Sequence, residues 1–92
     1  MSATETSETR RIRGMILGLL PPGAEPNPRI FGADGALDSL GLVNLLADLE
    51  YRLAGEFGRE IVLASDRAMS RRQSPFRDAD ALTAYILELL AE

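Results

Sequence analysis

The chain contains no cysteine, no histidine, no tryptophan and no lysine. Without cysteine, a disulfide framework and any cysteine-based metal site are excluded. Without histidine, the commonest general base and metal ligand is missing. Only five residues are aromatic, three Phe and two Tyr. These absences remove the usual tools of an enzyme, and no catalytic residues are expected. All ten basic residues are arginine, which reads as genomic codon bias before it reads as function. The net charge of −4 argues against nucleic acid, whose binding depends on a dense basic surface. No apolar run approaches the ~18 residues of a membrane span. The stretch from Met1 to Glu8 carries two glutamates and no apolar core, so it does not read as a signal peptide, and a cytoplasmic protein without membrane partners is expected.

What the chain does have is helical periodicity. Its 92 residues suit one domain, taken as 1–92 with a core over about 5–91. A chain of this length buries roughly 60–70% of its extended surface, enough for one core. Ile12, Met15, Ile16, Leu19 and Leu20 form a single apolar stripe and predict a helix over 4–20. Ser2 with Glu5 has capping-box spacing, although Ser7 serves equally well as a start. Gly14 and Gly18 weaken this helix by up to ~1 kcal/mol each, so packing must hold it. Pro21-Pro22 ends it.

A loop over 21–38 follows, with four prolines and three glycines, and Ile30, Phe31 and Leu37 as candidate anchors. The next helix is expected over 39–57. Leu42, Leu45, Leu46, Leu49 and Leu53 make its core stripe, with Val43 and Phe57 on the flank. Asn44, Asp48, Tyr51, Arg52 and Gly55 point away, and Leu40 lies almost opposite the stripe. Gly58 stops this helix. Ile61-Val62-Leu63 should tuck under the bundle. A short, weak helix is placed over 65–71, capped by Ser65 or Asp66. The last helix is set at 78–91, capped by Asp78 or Asp80, with Leu82, Tyr85, Ile86, Leu89 and Leu90 facing the core. No segment alternates at period two for long enough to be a strand. The expected fold is therefore all-α: a small four-helix bundle of three main helices and one short one, with a long loop between the first two.

The candidate site is Asp38-Ser39-Leu40, where the long loop turns into the second main helix. A serine at an exposed helix N-terminus faces unpaired N–H groups and the positive end of the macrodipole, which favours an attached phosphate. Asp38 fits the N-cap position. Leu40, exposed beside the serine, reads either as a partner contact or as an ordinary exposed apolar residue.

Leu37-Asp38-Ser39-Leu40, the apolar run through Leu49-Glu50, Phe57-Gly58-Arg59-Glu60-Ile61 and Leu82-Thr83-Ala84-Tyr85-Ile86 together resemble the acyl and peptidyl carrier proteins over roughly residues 5–90. The resemblance implies that Ser39 carries 4′-phosphopantetheine, with Asp38 in a supporting role. A phosphopantetheinyl transferase, itself needing Mg²⁺, would install the group from coenzyme A. An acyl or aminoacyl ligase or transferase would load the thiol as a thioester. Downstream enzymes of lipid or secondary-metabolite synthesis would take the cargo. Partner contacts are assigned to Leu40, Asn44 and Tyr51, and a monomer is expected. For a Cys-free chain, the sulfur then belongs to the cofactor.

Two departures shape this reading. The family often has Gly two residues before the Asp; here that residue is Ala36, and Gly35 precedes it. Fatty-acid carriers show a row of acids along the exposed face of this helix. Here the face is read as Gly41, Asn44, Asp48 and Tyr51, with Arg52 nearby. The acids around the site are Asp34, Asp38, Asp48 and Glu50, and a basic stretch follows with Arg67, Arg71, Arg72 and Arg77. Charge complementarity governs partner choice, so a specialised carrier is expected rather than the housekeeping fatty-acid one. An acyl-chain pocket, if the bundle opens one, would use Ala47, Ala54 and the 61–75 segment; ordinary helix packing is the alternative. Two other functions stay open: an unmodified helical interaction module, and a phosphorylation switch at Ser39, which the nearby acids disfavour.

Overall fold

A computed structural model describes residues 7–20, 28–32, 35–65, 68 and 74–92. Within them the chain forms α1 (Ser7–Leu19), α2 (Ser39–Phe57) and α3 (Ala79–Leu90). This is an all-α bundle, and the described residues contain no strand. The Ser2–Glu5 capping box lies outside them, as does most of the short helix expected over 65–71. From that helix Ala68 is described: it is helical and buried, and its N–H donates to Ser65 Oγ at 3.3 Å, as a serine cap would have it.

The three apolar stripes meet in one core. Ile12 and Ile16 of α1, the five leucines of α2, and Leu82, Tyr85 and Ile86 of α3 are all buried. Met15, Leu19, Phe57, Leu89 and Leu90 are partly buried against them. α1 packs against both α3 and α2, more extensively against α3. Its two exposed faces are tied by ion pairs, Arg11 to Glu56 of α2 and Arg13 to Asp80 of α3. Arg11 also lies over the Phe57 ring, 5.3 Å from its centroid. The packing holds the glycine-bearing α1, whose own propensity is weak, and these exposed links add little to it.

Both remaining helices start at an aspartate, and α2 also stops at a glycine. Asp38 and Asp78 are the N-caps of α2 and α3, in extended conformation. Gly58 ends α2 at φ 69°, in the left-handed region that side chains resist, and donates its N–H to Ala54 O at 2.9 Å. Thr83, the buried polar residue of α3, satisfies its hydroxyl on the Ala79 carbonyl at 2.8 Å.

The described part of the long loop is pinned by backbone bonds as well as by side chains. Ile30 is fully buried, and Phe31 and Leu37 pack partly buried against the core. The loop folds back on itself, with Leu37 N–H donating to Ile30 O at 2.9 Å and Ala36 N–H to Arg29 O at 3.1 Å. Its other edge joins the start of α3. Ile30 N–H donates to Arg77 O at 2.9 Å and Ala79 N–H to Pro28 O at 3.1 Å, around an isolated antiparallel bridge between Arg29 and Asp78. Gly35 sits inside this fold-back. A Cβ there would lie 2.6 Å from both Ile30 O and Phe31 Cα, so only glycine fits.

Burial differs from the sequence expectation both in the segment after α2 and within α2 itself. Val62 is half exposed while Ile61 and Leu63 are buried, so the segment sends alternate residues to opposite sides. Ala47 is exposed and Ala54 only partly buried, so Ala47 lines no interior pocket.

Candidate functional site

The site is the first turn of α2. Asp38 Oδ1 accepts the Gly41 N–H at 2.8 Å, and the Asp38 carbonyl accepts the Leu42 N–H at 2.9 Å, closing the turn. Ser39, the first helical residue, is exposed, and so are Asp38 and Leu40. The Ser39 and Leu40 amides, being first in the helix, have no intrahelical acceptor. As expected of a capping aspartate, the Asp38 carboxylate takes the third amide, that of Gly41, and leaves these two. That carboxylate also places a negative charge beside any anion at the serine. An exposed phosphate there would meet that charge in opposition to the pull of the helix end.

Gly41 is partly buried rather than part of the outer face. A Cβ at this position would meet Asp38 Oδ1 at 3.2 Å and Leu37 Cβ at 3.3 Å, so the small residue lets the cap and Leu37 close over the first turn. The other residues read as outward-facing, Asn44, Asp48, Tyr51 and Arg52, are exposed.

With them lies an apolar row that the sequence showed only in part. Leu40 is 70% exposed and Tyr51 83%, and Ala47 falls between them on the same line of the helix. Val43, assigned from the sequence to the flank of the core, is 59% exposed and broadens this row. The signal for Val43 was its position one turn after Leu40, about 100° from the centre of the leucine stripe. Large apolar side chains therefore occur on both sides of α2, one set buried in the bundle and one facing outward. A contiguous exposed row of this kind marks a contact surface better than a scattered residue does.

The acids expected around the serine separate. Asp38 is the cap and Asp48 is exposed on the outer face. Glu50 is turned away and partly buried, and its carboxylate accepts the Leu63 N–H at 2.7 Å. Asp34 lies outside the described residues, as do Arg67, Arg71 and Arg72 of the basic stretch. Arg77 turns back on its own neighbourhood, donating to Ser74 O at 3.3 Å and lying 3.6 Å from Asp78 Oδ2.

Among the described residues no group of three or more acidic side chains is placed to hold a metal ion. No helix among them is long and apolar enough to cross a membrane. Searches with protein-family models, among curated proteins and among solved structures gave no match to this chain.

Proposed function

We propose that the chain is a specialised acyl or aminoacyl carrier whose Ser39 is the attachment point for 4′-phosphopantetheine. The observation that carries the reading is the exposed serine at the first position of α2, directly behind an aspartate cap and in line with an exposed apolar row. The residues suit the group. A primary hydroxyl on an open first turn can reach a transferase active site, and no side chain need move to free it.

In the transfer, Ser39 Oγ attacks the β-phosphate of coenzyme A. The bond from that phosphorus to 3′,5′-ADP breaks, and the hydroxyl proton passes to a base on the transferase. The charge developing on the phosphate is met by Mg²⁺ and basic groups of that enzyme. Asp38 holds the first turn rigid, so the hydroxyl is presented in one backbone geometry. Leu40, Asn44 and Tyr51 form the surface that the transferase, the loading ligase and the downstream enzymes grip. The attached group supplies a thiol for thioester chemistry, which the Cys-free chain lacks. The protein contributes recognition and the raised local concentration of a tethered substrate.

The test is intact mass after incubation with coenzyme A, Mg²⁺ and a broad-specificity phosphopantetheinyl transferase. The native chain should gain one phosphopantetheine and Ser39→Ala none. No gain by a folded native chain, beside a control carrier that is modified, would leave an interaction module built on the same outer face of α2.

A further inference from the structure

Residues 59–65 connect α2 to the buried Ala68, and they are held by side chains. Among the described residues, no backbone-to-backbone hydrogen bond ties 59–64 to another element. Three side chains do the fastening. At one end Arg59 donates from Nη1 to the carbonyl oxygen of Leu90, the last residue of α3, at 2.9 Å and from Nη2 to Glu92 O just beyond it at 3.2 Å. At the other end Ser65 Oγ lies 3.5 Å from the Tyr85 hydroxyl. In the middle, Glu50 Oε2 of α2 accepts from Leu63 N–H at 2.7 Å and, more weakly, from Ala64 N–H at 3.4 Å. Between these fasteners Ile61 and Leu63 plug the core and Val62 faces out. Behind the segment, against Tyr85 and Leu89 of α3, lies an open cavity of about 300 Å³ walled by Ile61, Val62 and Ser65.

We propose that residues 59–65 form a strap that opens as a local unit, with the Glu50 carboxylate as its latch. Opening removes the wall between this cavity and the core beneath Ile61 and Leu63. The physical argument is the fate of the Leu63 N–H. Leu63 is fully buried, so its amide has two acceptable states: bonded to Glu50, or lifted to water with the strap. A buried amide with no acceptor is the costly state between them, which makes the change discrete. The helices carry their own backbone bonds and need not follow, so this is the kind of segment that opens below the global unfolding free energy. Glu50 stands eleven residues along α2 from Ser39, about 16 Å at 1.5 Å per residue, so the device does not rest on what Ser39 carries.

The test is native-state amide hydrogen exchange on the full chain, with Glu50→Ala and Glu50→Gln. In Glu50→Ala the Ile61, Leu63 and Ala64 amides should exchange about tenfold faster or more, with the core amides of α1, α2 and α3 unchanged. Glu50→Gln keeps a neutral oxygen acceptor and should show a smaller acceleration at the same amides. Unchanged exchange at Leu63 and Ala64 would overturn the latch. Uniform acceleration over the whole chain would overturn the local unit, since Glu50 would then only add to global stability. If Glu50→Ala does not fold, the Glu50→Gln pattern, local or uniform, decides by the same criterion.

Discussion

Asp38 and Asp78 open α2 and α3 with the same bond, each carboxylate accepting the N–H three residues on at 2.8 Å. Beyond that bond the two helix starts diverge. At α3 the first helical residue is Ala79, fully buried, and its amide is taken by the Pro28 carbonyl. Asp78 is itself mostly covered and bridged to Arg29. At α2 the first helical residue is Ser39, exposed, followed by exposed Leu40. The local device is identical; the tertiary surroundings decide whether a helix start is sealed into the fold or presented to solvent. A cap motif therefore locates a helix end, and only its neighbours say whether that end is available for chemistry.

The difference can be tested by attacking what creates it. The largest effect is expected from Gly35→Ala, because the new Cβ meets backbone atoms of Ile30 and Phe31 at 2.6 Å and the fold-back linking both starts must shift. Denaturant unfolding should show a loss of about 3 kcal/mol, the upper end for overpacking, because backbone atoms cannot rotate away; a change below about 0.5 kcal/mol would mean that the corner is not closed as described.

Next comes the exchange of first residues. Ala79→Ser buries a hydroxyl and should cost about 1–3 kcal/mol, while Ser39→Ala, at the same position of an open start, should stay within about 0.5 kcal/mol. Equal costs in thermal or denaturant melts would erase the distinction between sealed and open starts. Smallest is the difference between the caps themselves. Asp78→Ala and Asp38→Ala should each cost about 0.5–2 kcal/mol, with Asp78 at the upper end and Asp38 at the lower. A larger loss at Asp38 would reverse the comparison.

The helices and their caps were legible in the sequence because each is a local, periodic signal. Five leucines at helical spacing fix the inner face of α2, and an aspartate before a run of helix formers fixes its start. The exposure of Leu40 followed from the same wheel, and that of Ser39 from its place at the start of the helix. The corner formed by residues 28–32 and 35–37 against 77–79 was not legible. It consists of backbone bonds between segments far apart in the chain, and such bonds leave no pattern of side chains. Gly35 looked like loop punctuation until Ile30 and Phe31 were beside it. Glu50 was misplaced for a related reason. Its position on α2 is readable, but its role depends on where the aperiodic segment at Leu63 returns, and a single side-chain bond across thirteen residues has no spacing rule.

The same corner has a mechanical meaning. A tether or partner that pulls on Ser39 or Leu40 loads the start of α2, which by itself would peel open one turn at a time. Here the pull reaches Leu37, passes through its bond to Ile30, and from Ile30 crosses to Arg77 at the head of α3. The load is shared between two helices before either unwinds, so the open helix start is also braced against being dragged.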